Sequence, residues 1–362
     1  VAVSKLGQNN IYKTINKRKT ILLILMAVSL ILGIAYTVSL GVAEISMAEV
    51  YGLLTSKLLG LDTKKYSTFV QGIVLRIRLP RVLLAVITGL ALGCTGVIMQ
   101  SILRNPLASP YTLGVSAGSA FGAGLAIVVG HVIIGSDIMA QYGSWVTIIG
   151  AFMMGTLTIL IINFITSLKG GGTALLILAG VALSYLFSAG LSFFKYIAGH
   201  DELTELTVWL MGGLHRAEWI DILILTPIII GGLIILLRMA WDINALNAGE
   251  EVAKNLGVDV QKLRKKGSIL SALLTSCVIA FTGIIGFIGL VAPHIGRMIF
   301  GNDNRYLIIA SGILGALILL GADTAARLIV DPAELPVGII TSIAGAPFFL
   351  YLLIKKRSDY WS

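Results

Sequence analysis

Long apolar runs and short polar interruptions alternate along the whole chain. Stretches with few or no charges occupy 21–40, 82–103, 111–130, 143–166, 173–194, 219–237, 268–300, 306–322 and 336–354. A helix needs roughly 20 apolar residues to cross the hydrocarbon of a bilayer, so each run reads as a spanning helix. The run 268–300 is too long for one upright span and short for two. It predicts a full helix and then a short one, broken around Gly283–Gly289, which brings the expected total to ten. The predicted fold is all-α: a polytopic membrane protein in a single transmembrane domain over 1–362, with helix 1 at about 21–40.

Composition agrees, because 57 % hydrophobic residues exceeds the roughly 45–50 % of soluble domains. The first run is longer than a signal-peptide core and lacks a small-x-small cleavage pattern, so it reads as a retained span. Lys13, Lys17, Arg18 and Lys19 precede that span, and Lys355, Lys356 and Arg357 follow the last one. The positive-inside bias then predicts both termini in the cytoplasm, which requires an even number of spans. Ten spans also put Arg104, Lys169, Arg238, Lys254 to Lys266 and Arg305 on that side. The net charge of +9 is therefore explained by topology and gives no support for a nucleic-acid partner. Trp145, Trp209, Trp219, Trp241 and Trp361 fall near predicted helix ends, where an indole keeps its N–H in the wet interface.

Two polar segments face outward on this topology. Segment 41–80, with Glu44, Glu49, Lys57, Asp62, Lys64, Lys65, Arg76 and Arg78, is too polar to span. Segment 196–218 should hold a short helix from Asp201 to Met211. Thr95-Gly96-Val97-Ile98 leading to Pro106 is echoed by Thr282-Gly283-Ile284-Ile285 leading to Pro293, which suggests an inverted repeat over about 82–195 and 265–354. Pro106, Pro110, Pro293, Pro336 and Pro347 are expected to set helix breaks. Gly89 with Gly93, and Gly114, Gly118 and Gly122, have the small-xxx-small spacing that lets helix backbones approach closely in lipid.

The candidate chemistry is sparse. Cys94 and Cys277 lie in separate apolar runs and read as small packing residues, and isolated His294 reads as structural, so no metal, cofactor or catalytic residue is assigned. The chain contains no G-x-x-x-x-G-K-[ST] phosphate loop and no hydrolase or metalloprotease motif. Every acidic residue is placed in a loop or near a helix end, Asp323 being the least settled, which argues against an ion-coupled secondary transporter. Energy must then come from a partner.

Seven blocks carry a family resemblance: IRLPRVLLAVITGLALGCTGVIMQSILRNPLASPYTLGVSAG, LILAGVAL, VWLMGGL, GEEVAKNLGV, GFIGLVAPHIGRM, GADTAARL and ELPVGIITSIAGAPFFLYLL. In order and spacing from about 70 to 354 they resemble the iron-siderophore, haem and cobalamin permease family of ABC importers, and the expected fold is like that of a vitamin B12 importer permease. The resemblance implies a plasma-membrane permease that pairs with a second copy or a homologue. Two cytoplasmic ATPase subunits and an external substrate-binding protein complete the expected assembly. It implies a metal chelate as cargo, ferric siderophore first, with cobalamin, haem and molybdate as alternatives.

The resemblance also assigns residues. The charged island 247–266 contains Glu251, Ala253 and Gly257 in the E-x-A-x-x-x-G spacing by which such permeases present a helix to their ATPase. Glu250, Glu251, Ala253, Leu256 and Gly257, within a cytoplasmic segment of about 245–262, are the expected coupling residues. Arg78, Arg81 and Arg327 match the arginines that meet glutamates of the binding protein, and their expected outer position runs against the positive-inside bias. The helix from about Thr173 to Tyr196 matches the one that lines the path. On it Ser184, Ser188 and Ser192 recur at i, i+4 and i+8 and Lys195 extends the row. The same row fits small residues packed on a neighbour, and the same lysine fits an interface anchor.

Overall fold

A computed structural model describes residues 2–41, 43, 45–168, 172–330 and 333–355. Glu44, Lys169, Lys356, Arg357 and Trp361, and the side chains of Lys13 and Lys355, lie outside the described residues.

Among the described residues the chain folds into helices and turns. In chain order they are α1 (Ala2–Ser39), α2 (Met47–Leu58), α3 (Thr68–Ile102), α4 (Val115–Ile134) and α5 (Ser136–Leu168). Then come α6 (Thr173–Ile197), α7 (His200–Met211), α8 (Trp219–Arg238), α9 (Ala240–Asn247) and α10 (Glu250–Asn255). Last are α11 (Val260–Thr282), α12 (Ile288–Phe300), α13 (Asn304–Leu328) and α14 (Val337–Lys355).

The ten expected spans correspond one to one with α1, α3, α4, α5, α6, α8, α11, α12, α13 and α14. Of these, seven are long and apolar enough to cross a membrane by themselves. The others are α11, whose first turns are basic, and the shorter apolar helices α12 and α14. The break inside 268–300 falls where expected: Gly283 leaves α11 at φ 68° and Phe287 enters α12 at φ 67°. A bulky side chain in the left-handed region is a strained conformation, so this reversal is imposed by packing.

One expectation needs correction. Residues 68–80 are not loop but the first turns of the 35-residue α3, entered through the Ser67 cap and widened π-helical turns at Ile73–Arg78. Their charge made them look solvated, yet Arg78 is neutralised by backbone carbonyls from α1. The segment also contains α2, started by a Ser46/Glu49 capping box. The repeated Thr-Gly motif does not take one local structure: Thr95-Gly96 lies mid-helix in α3, whereas Thr282 ends α11 and Gly283 turns the chain.

The bundle is built around α3. Its apolar window is 83 % buried, against 11 % for α1, whose exposed face is mostly apolar, with Ile24, Leu25, Ile31 and Leu32 on it. The principal partner of α3 is α13, and the two touch backbone to backbone. A Cβ on Gly93 would lie 2.1 Å from the Ser311 carbonyl oxygen, and one on Gly89 2.4 Å from that of Gly315. Lipid tails are as apolar as leucine, so this close approach, rather than hydrophobic burial, holds the helices together. Cys94, donating to the Ile308 carbonyl at 3.2 Å, fills the same seam. Gly118 and Gly122 serve α4 likewise against Thr158 and Gly150 of α5.

Two ends of the bundle follow from contacts. At the first, Arg264 of α11 meets the Ile102 carbonyl, Asn244 of α9 meets Asn304, and Lys19 lies over the Tyr306 ring. At the other, the C-terminal ends of α1 and α13 meet the start of α3.

We expect Gly93→Val to lower stability by about 1–3 kcal/mol through overpacking. Gly231→Ala in α8, where an added Cβ meets nothing within 4 Å, should be neutral or slightly stabilising. Thermal denaturation of the two purified variants checks the pair.

Candidate coupling and docking sites

At the basic end α10 forms a small knob. Gly249 at φ 131° admits the chain to it, and the exit is a Schellman turn. The Val258 amide donates to the Ala253 carbonyl and the Gly257 amide to that of Lys254, both at 2.9 Å, with Gly257 left-handed at φ 83°. Ala253 is fully buried against the bundle, which explains why a small residue stands there. Val252 and Leu256 are 44 % and 68 % exposed at the tip, flanked by exposed Glu251 and Lys254. Two apolar side chains held in water on a braced six-residue helix form a surface suited to insertion in a cleft.

The brace is Arg264. Its guanidinium binds the Glu250 carboxylate and its Nε donates to the Ile102 carbonyl at 3.0 Å, so one side chain joins α10 and α11 to the end of α3. That hydrogen bond holds the Glu250 carboxyl below its ordinary 4.5, burial opposing and the positive charges of Arg264, Lys254 and Arg104 adding to it. With the pKa depressed on folding, the contribution is full above 4.5 and is lost as pH falls through the lowered value. Asp259 caps α11 through the Lys262 amide, which likewise keeps its carboxyl low. Arg264 was not singled out from sequence; inside a run of basic residues nothing distinguished it from Lys262 or Lys265.

At the other end Arg78, Arg81 and Arg327 do come together, but they are buried. They are only 5 %, 7 % and 4 % exposed, which corrects the expectation that they stand outward. Arg78 donates to the carbonyls of Val38, Ser39 and Ala43, and Arg327 to those of Thr37 and Leu40, so both cap the last turn of α1. Helix C-termini leave carbonyls unpaired and carry partial negative charge, which is what a guanidinium satisfies. Arg81 binds Asp323 at 2.9 Å and Glu334 at 2.5 Å, while Arg327 Nε lies 3.2 Å from the other Asp323 oxygen, a coulombic contact without hydrogen-bond alignment.

Asp323 is therefore a fully buried carboxylate inside α13, bound between two arginines, five residues from the helix end. A proton- or sodium-cycling acid has to meet water, and this one is committed to holding α3 on α13. Glu334 is the exposed member, its side chain 41 % accessible. The exposed arginines at this end are Arg76 and Arg216.

The serine row on α6 divides. Ser184 turns inward, donating to the Gly180 carbonyl at 2.7 Å and packing on Gly114, whereas Ser188, Ser192 and Lys195 lie on the exposed face. Phe187 and Phe194 anchor the opposite face by clasping Phe121 at ring distances of 5.3 and 5.2 Å. Tyr185 and Tyr196, 74 % and 88 % exposed, add hydroxyls to the outer face. Ser188, Ser192 and Lys195 together with these tyrosines give α6 a row of polar groups along its exposed face. His294 packs edge-on to Phe348.

The helices define a polytopic α-helical protein, and its sequence holds no G-x-x-x-x-G-K-[ST] loop. A description of the FecCD transport family matches residues 19–355, and the chain belongs to that family. It is 43 % identical over 286 residues to the hemin transport system permease protein HmuU of Yersinia pestis, covering 79 % of this chain and 84 % of that one. It is 39 % identical over 290 residues to the cobalamin import system permease protein BtuC of Halobacterium salinarum, covering 79 % and 74 %. Among solved structures, an ABC transporter described as metal-chelate type in an inward-facing conformation superposes with a TM-score of 0.79 at 31 % identity, over 92 % of this chain and 99 % of that one. The protein is a membrane-spanning permease subunit of an ABC importer.

Asp323→Asn should cost about 3–5 kcal/mol, since it removes the buried negative charge that Arg81 and Arg327 share, while Glu334→Gln should cost under about 1 kcal/mol. Chemical denaturation in detergent compares them. Arg264→Gln should speed amide hydrogen exchange across 250–256 and leave exchange in α3 unchanged.

Proposed function

We propose that this permease imports a metal chelate by alternating access driven from outside the chain, with α10 as the point where nucleotide-driven motion enters. The observation that carries the reading is the braced knob: exposed Val252 and Leu256, a glycine-closed exit, and Arg264 tying the knob to α3 and α11. Two cytoplasmic ATPase subunits would each receive one such knob, so that closure of the ATPase pair pulls on both bundles. In this reading both termini are cytoplasmic and the membrane is the plasma membrane, the side being set by Lys17, Arg18 and Lys19 before α1 and by the basic start of α11.

A second copy, or a homologue, covers the polar outer face of α6. Ser188, Ser192 and Lys195 then line the path between the copies. An external binding protein meets the end built by α2, α7 and the arginine cluster. There Arg78, Arg81 and Arg327 act by fixing the helix ends, while Glu334, Arg76 and Arg216 present the charge that orients docking. The cargo is taken as a ferric siderophore. Cobalamin, named for the Halobacterium relative, and hemin, named for the Yersinia one, are the alternatives that a binding screen of the cognate binding protein separates.

The direct test is ATP-dependent uptake in proteoliposomes holding the permease, its ATPase and its binding protein. Glu251→Ala and Gly257→Pro should leave the permease in the membrane and cut uptake at least tenfold. Wild-type uptake by both variants would remove α10 from the mechanism.

A further inference from the structure

Beside the knob, but not part of it, a cavity of about 290 Å³ opens between three helix ends. Its walls come from the last turns of α5, the first turn of α6, the first turns of α11 and Leu103 after α3. The charge on its lining is one-sided: Lys262, Arg264 and Lys265 contribute, and among the described residues none that lines it is acidic. Arg264 is tied to Glu250 and Lys262 to Asp259, whereas Lys265 has no ion pair among the described residues. Asn163 and Thr166, 8 % and 5 % exposed, also line it, their side chains engaged with Ser268 and the Ile159 carbonyl and with the Ile162 carbonyl, and Leu103 and Leu176 supply apolar wall.

The first turn of α6 also faces the cavity. Gly172 and Thr173 line it, and Gly172 supplies no side-chain cap to this 25-residue helix, so the positive end of its dipole adds to the lysines. Cations, a helix N-terminus and an apolar wall in one pocket suit a phosphate group at a membrane surface.

We infer that this cavity binds a phosphate-bearing anion, either the headgroup of an acidic phospholipid or a free phosphate, and so links the starts of α6 and α11 to the end of α5. The site shares Gln261 and Lys262 with the edge of the coupling segment and Arg264 with its brace, yet its occupancy can be read without ATPase or transport. Failure of the proposed coupling role would leave it untouched.

The test uses the full-length permease, the double variant Lys262→Gln/Lys265→Gln, and Ser167→Trp, which plugs the exposed rim without altering charge. In one arm, nanodiscs of phosphatidylcholine with increasing phosphatidylglycerol are followed by native mass spectrometry of retained lipid. In the other, inorganic phosphate is added in detergent and the denaturation temperature is read. Retention should weaken roughly fivefold for each lysine removed, and Ser167→Trp should lose it as well. Lys57→Gln, at the opposite end, should match wild type.

Effects confined to the lipid arm identify a headgroup, and effects confined to the phosphate arm identify a free ligand. Equal behaviour of wild type and double variant in both arms overturns the site. Denaturation in phosphatidylcholine alone confirms that each variant is folded.

Discussion

The structure depends on one constraint: in a bilayer no water is available to satisfy a charge or a carbonyl, so the protein must do it internally. The cluster of Arg78, Arg81, Asp323 and Arg327 answers that requirement at one end of the bundle. It closes the last turn of α1, neutralises the only acid buried in α13, and fixes the start of α3 against both. Asp323 sits between Arg81 and Arg327, and Arg78 and Arg327 share the carbonyls at the end of α1, so the group positions three helices. Backbone contact through Gly89, Gly93 and Gly315 then carries the α3 and α13 pairing through the membrane.

The opposite end uses the same economy more lightly. Arg264 alone spans three helices, and α10 is otherwise held by its buried Ala253 and a glycine turn. A knob that transmits force needs a rigid tie to the bundle and a free tip, and α10 has both. The link from α10 to α3 continues through the glycine seam to α13 and the arginine cluster, so the two ends share a continuous packed path.

Much of this was legible beforehand. The nine apolar runs, the break near Gly283 and the helix ending at Met211 follow from local patterns of hydropathy, glycine and charge, and the Glu250–Gly257 knob from the family spacing within a charged island. The start of α3 was not legible, because Arg76 and Arg78 look solvated until α1 supplies carbonyls for the latter. Arg264 was hidden among equivalent basic residues. The serine row looked uniform by spacing, yet helical drift turned Ser184 inward and left Ser188 and Ser192 exposed.

The sequence by itself determined membrane residence, the number of spans and the family, because those rest on the cost of placing polar groups in hydrocarbon and on motifs contiguous in the chain. Only the tertiary structure decided what the arginines do. Three residues marked as outward contacts became internal struts, since their partners at positions 37–43, 323 and 334 are remote in sequence. Which charges are spent inside and which remain for a partner is a question of proximity, and proximity across hundreds of residues is set by the fold.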